Sequence, residues 1–174
     1  MRALGPGSVS SFLKIILDVV YAALWIGLGA LALVLLAALL FSFNPDLLPK
    51  MVSTDAAVLA SRGPLVAGAL LVFGLSIAGV LVIVHSLRRI FVTLTAGDPF
   101  HPQNVRRLRL IGLVLAALEL CRYAVWGLSS TLPWVKDVKP NFSLTAWFSV
   151  LVVFVLAEVF REGARLRREA ELTI

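Results

Sequence analysis

Residues 65–86 read LVAGALLVFGLSIAGVLVIVHS and run directly into Leu87-Arg88-Arg89. The stretch holds 22 residues without a Lys, Arg, Asp or Glu. A bilayer core about 30 Å thick takes about 20 apolar residues of α-helix to cross. This segment therefore reads as a transmembrane helix whose end is marked by two arginines. Three further apolar stretches cover residues 15–43, 108–128 and 144–160. The last is the shortest at 17 residues. The expected fold is all-α: a polytopic membrane protein, a bundle of four transmembrane helices forming one domain over 1–174. The first stretch exceeds a signal-peptide core, and no small-residue cleavage pattern follows it, so a retained span is expected.

Composition agrees. Apolar residues make up 60% of the chain and charged residues 15%, with a mean hydropathy of +0.96. A soluble domain carries about 45–50% and about 25%. The one cysteine, Cys121, excludes an intramolecular disulfide. The net charge of +6 would suit nucleic acid, but its distribution argues otherwise. Of 16 basic residues, 11 lie before the first stretch, between the second and third or at the very start of the third (Arg109), or after the fourth. Only Lys50, Arg62, Lys136 and Lys139 lie in the other two connections. The positive-inside rule then places both termini in the cytoplasm, with the cell membrane as the location. The lipid bilayer is the first partner of such clusters, and no direct nucleic acid contact is expected.

Punctuation along the chain is clear. Residues 1–11, rich in Gly and Ser, read as poorly ordered. Asn44-Pro45 closes the first helix, because a residue before proline disfavours helical geometry. Ala56 to Ala60 suggests a short interfacial helix. Gly63-Pro64 opens the second helix, which continues past the apolar run to Thr95. Gly97 suits a helix C-cap and Pro102 the first turn of the next helix. Trp134 is placed as an interfacial anchor. Ala23, Gly27 and Ala30 on the first helix, and Gly74 and Ala78 on the second, are small residues at helical spacing that let backbones approach in lipid.

Two groups of polar residues stand out within the apolar stretches. Glu119 lies near the middle of the third, and Arg122 is one turn further on, on the same face. An isolated charge at the bilayer centre costs about 2.5–3.5 kcal/mol on insertion scales. An acid and a base one turn apart offset that cost. The pair is either a structural device or a proton relay, ion site or polar ligand cavity. Asp18 with Lys14, and Glu158 with Arg161, form helix-spaced pairs at the membrane edge. They are either local ion pairs or fasteners that meet basic residues of the central loop. His85 reads as a polar end-cap of the second helix. No zinc spacing, phosphate loop or nucleophile elbow is present, so no metal, cofactor or enzymatic activity is expected.

The segments Gly97-Asp98-Pro99-Phe100-His101-Pro102-Gln103-Asn104-Val105-Arg106-Arg107-Leu108-Arg109 and Phe160-Arg161-Glu162-Gly163-Ala164-Arg165-Leu166, closing on Glu171-Leu172-Thr173-Ile174, carry a resemblance. With four apolar stretches in under 200 residues, the chain resembles a bacterial family of small membrane proteins of unknown function. Members are often encoded beside a very small helix-turn-helix regulator of the Cro/CI type. The resemblance implies a membrane regulator that sequesters or modulates such a protein, and it supplies no catalytic residues. Residues 97–104, stiffened by Pro99 and Pro102, and the charged tail 161–174 are then the expected cytoplasmic docking surface. Its residues are Gly97, Asp98, Pro99, Phe100, Asn104, Arg106, Arg107, Arg161, Glu162 and Arg165, with Phe100 as apolar anchor unless it tucks beneath the helices. The alternative function is a small transporter or ion-translocating subunit built on Glu119 and Arg122. A homo-oligomer is compatible with either.

Overall fold

The computed structural model describes residues 9–43, 63–129 and 142–172. They form four helices: α1 (Val9–Phe43), α2 (Gly63–Thr95), α3 (Pro102–Ser129) and α4 (Leu144–Glu171). No strand occurs among the described residues. Three helices are long and apolar enough to cross a membrane: Phe12–Leu40 of α1, Ala67–Thr95 of α2 and Leu144–Ala170 of α4. α3 is not among them. Arg106, Arg107, Arg109, Glu119 and Arg122 dilute its apolar run. Large apolar side chains on the spanning helices face outward, as Ile26 does at 74% exposure. In a membrane protein such surfaces lie against lipid tails, which are as apolar as leucine.

Helix boundaries follow local chemistry. α1 starts at Val9, so residues 9–11 are helical where disorder was expected. The expected short helix at 56–60 and the anchor Trp134 lie outside the described residues. α2 ends at Thr95 as its pattern predicts. Gly97 takes φ +82°, Asp98 N–H donates to the Thr93 carbonyl at 3.1 Å, and Gly97 N–H donates to the Leu94 carbonyl at 3.1 Å. These are the two bonds of a Schellman cap, whose left-handed position suits glycine. α3 starts at Pro102, where a missing N–H costs nothing. Ser143, which carried no signal in the reading above, caps α4 by accepting from Ala146 N–H at 3.2 Å.

The chain divides into two compact units, one of Met1–Val19 with Val82–Ile174 and one of Val20–Leu81. In the second, Leu31 reaches the surface of Gly74, where a Cβ would stand 3.1 Å from the leucine Cδ2. The expected small face of α1 is not used in this way, since a Cβ at Gly27 would meet nothing within 4 Å. The approach depends on a large residue entering over a small one, not on small residues facing each other. The first unit holds the tighter core. Ile90, Leu108, Ile111 and Ala157 are buried together, flanked by Leu87, Leu115, Val153 and Phe160. Gly112 leaves room for the Phe154 ring, which would lie 3.0 Å from a Cβ there. α3 and α4 thus pack closely along their length.

Candidate functional site

The polar chemistry of the first unit concentrates in three places. The first is the connection between α2 and α3 and the part of α4 that packs on it. Asn104 is fully buried. Its Nδ2 donates to Thr93 Oγ1 at 2.7 Å and to the Pro99 carbonyl at 3.0 Å, and its Oδ1 accepts from Arg107 Nη1 at 3.0 Å. Thr93 in turn donates to the Ile90 carbonyl at 2.7 Å. Arg107 also donates to the Arg89 carbonyl at 3.1 Å and to Gln103 Oε1 at 3.0 Å. One buried amide therefore fastens the end of α2, the turn and the start of α3. His101 Nδ1 accepts from Gln103 N–H at 3.2 Å and serves the first turn of α3 as a cap.

The turn is also fastened to α4. The Phe100 ring meets that of Phe160 with centroids 5.6 Å apart and planes tilted by 54°, within the usual range for aromatic pairs. A Cβ on Gly163 would lie 2.5 Å from the Phe100 ring. Arg167 donates to Asp98 Oδ1 at 2.6 Å. Two expectations change here. Asn104 is a buried fastener with its amide saturated, so it presents nothing to a partner. Phe100, 37% exposed, spends one side of its ring on Phe160 and Gly163. The other side of the ring stays exposed, so the residue packs on α4 and still keeps an outward face. Beside it the segment presents charge. Arg106 is exposed, and along α4 Arg161 pairs with Glu158, while Arg165 pairs with Glu162 at 2.7 Å and Glu169 at 3.3 Å.

The second place is the node at Glu119, which is buried. Arg122 and Tyr123 both donate to its Oε1, the tyrosine at 2.8 Å. Trp147 Nε1 of α4 donates to the tyrosine hydroxyl at 3.3 Å. The Arg122 guanidinium stands 5.3 Å from the centre of the Tyr123 ring, and Phe142 stacks on that ring at 6.0 Å. The expected Glu119–Arg122 pair is present. Sequence spacing gave no sign of Trp147, because its contact crosses from α3 to α4.

The third place joins helix ends. Arg88 Nε donates to Asp18 Oδ1 at 2.5 Å, and Arg109 approaches Glu158 at 3.8 Å. Asp18 and Glu158 therefore do reach basic residues that flank the central connection. His85 lies beside Asp18 and Arg88 in a cleft with Lys14. The first and third places share one end of the unit, since the Arg107 side chain reaches the Arg89 carbonyl. The sequence did not reveal the contacts made by Thr93, Trp147, Phe160, Gly163 and Arg167. The one available hint was Gly163, a glycine inside an otherwise charged helix, which often marks a close approach.

Neither the curated proteins nor the solved structures contain a match to this chain. A family profile does match, over residues 19–174, and so takes in all three polar places, lacking only Lys14 and Asp18 of the third. The chain belongs to the family described as protein of unknown function DUF2975.

Proposed function

We propose that this protein is a regulator of the bacterial inner membrane that crosses the bilayer four times and holds a cytoplasmic protein partner on the connection between α2 and α3 and on the tail of α4. The observation that carries the reading is the number of independent contacts that fasten that platform. A turn held by a saturated buried amide, a Schellman cap, an aromatic pair and an ion pair is ordered before any partner arrives. Binding to a preorganised surface avoids the entropy of ordering it. The exposed charges around it are mixed, Arg106, Arg161 and Arg165 beside Glu158, Glu162 and Glu169, and suit a partner with a complementary charged face. The family resemblance names the kind of partner: a small helix-turn-helix regulator, removed from its DNA while bound. The excess of basic residues at this end supports a cytoplasmic location for it. α3 makes the fourth crossing, with Glu119 and Arg122 neutralising each other inside it.

The test is capture of the neighbouring helix-turn-helix protein by the full chain in detergent. Arg161→Glu with Arg165→Glu turns that mixed face largely acidic, breaks its complementarity and weakens capture by about tenfold or more. Glu119→Gln leaves it unchanged. A cytoplasmic reporter fused after Ile174 is active. The second reading, ion or proton translocation, draws on the burial of Glu119 within an apolar helix. It replaces the first if Glu119→Gln abolishes activity while the charge reversals are silent.

A further inference from the structure

Lys14, Asp18, His85, Arg88, Arg89 and Val92 line a cleft of roughly 230 Å³ between the start of α1 and the end of α2. At about 30 Å³ per water, it has room for several waters or one polar headgroup. Its charge is unbalanced. Three cationic side chains line it against one carboxylate, and that carboxylate already accepts from Arg88. The tail of α4 differs, because Arg161 and Arg165 there each have a carboxylate partner on their own helix. Arg107 adds positive charge nearby by reaching the Arg89 carbonyl. The depth is also particular. Lys14 lies within the first turn of the apolar stretch Phe12–Leu40, and Arg88 and Arg89 within the last two turns of Ala67–Thr95. The cleft thus sits where apolar helix gives way to headgroups. Val92, 52% exposed, supplies an apolar wall. Basic pockets between membrane helices at this level suit phosphate headgroups.

We infer that this cleft binds a phosphate ester, the headgroup of an anionic lipid, with Lys14 and Arg89 as its principal ligands. Arg88 is the positioning residue, held in place by Asp18. The site goes beyond the partner-binding reading and stands or falls separately from it, because lipid binding and protein capture are separate measurements.

The full chain in neutral detergent is titrated with dioleoyl phosphatidic acid, dioleoyl phosphatidylcholine and inorganic phosphate, and bound lipid is read by native mass spectrometry. Phosphatidic acid is expected to bind saturably at one per chain, and phosphatidylcholine far more weakly. Lys14→Gln with Arg89→Gln is expected to weaken it about thirtyfold, as each basic side chain at an anionic surface is worth a factor of about five. Lys14→Arg with Arg89→Lys keeps the charge and restores binding, which separates loss of ligand from loss of fold. Arg165→Gln with Arg168→Gln, which removes as much charge outside the cleft, leaves binding unchanged. Inorganic phosphate that displaces the lipid completely identifies free phosphate as the occupant, and failure to displace it identifies the lipid. Equal binding of the two lipids, full binding by the Lys14→Gln, Arg89→Gln protein, or an equal loss in the tail variant overturns the assignment.

Discussion

The end cluster around Asn104 and the node at Glu119 are both polar networks centred on one buried residue, yet they are built on opposite plans. At the node, Arg122 and Tyr123 reach Glu119 from three and four residues away on one helix, and only Trp147 comes from elsewhere. At the end cluster, Thr93 and Asn104 are 11 residues apart and Asp98 and Arg167 are 69 apart. The node would survive in an isolated α3, whereas the end cluster exists only once α2, α3 and α4 have packed. A local pair keeps charges tolerable inside an apolar helix. A long-range network fixes the relative positions of several segments, which a docking surface requires.

The sharpest break in that contrast is Gly163→Val. The added side chain collides with Phe100, and overpacking of this kind costs about 1–3 kcal/mol. The detergent-solubilised protein should melt markedly earlier and lose partner capture as the turn is displaced. Unchanged melting would mean the turn moves away freely and is no platform.

Asn104→Leu comes next. It leaves the Pro99 carbonyl and Thr93 hydroxyl without their donor, and unsatisfied buried groups cost about 1–3 kcal/mol. Faster amide exchange across 96–104, with α3 beyond residue 110 unaffected, is the expected pattern. Uniform exchange across both regions would erase the distinction between the clusters.

Arg122→Leu should lower the melting temperature by less than Asn104→Leu, because Glu119 keeps the hydrogen bond from Tyr123. Adding Glu119→Gln should recover part of the loss. Strict additivity would show that the two residues do not interact, and the node would lose its meaning as a unit.

The smallest effect is expected at Arg165→Gln. Its partners are exposed, and such pairs contribute about 0–1 kcal/mol. Stability should hold while partner capture weakens. A large fall in melting temperature would place Arg165 among the fasteners and not on the presented face.

Much of this was legible in the chain. Apolar length announced the membrane helices, Gly97 and Pro102 announced the turn, and three-residue spacing announced Glu119 with Arg122. Each is a local rule acting within a few residues. The facing of the helices was not legible. In a soluble helix an apolar stripe shows which side is buried. Helices apolar on every side carry no such stripe, because lipid and neighbouring helix look alike to a leucine. So Gly74 against Leu31 and Gly112 against Phe154 were decided by packing alone. Asn104 and Phe100 read as outward residues because they stand in a polar turn. Only the packing of Thr93 and Arg107 turned Asn104 inward, and only the arrival of α4 covered one side of the Phe100 ring.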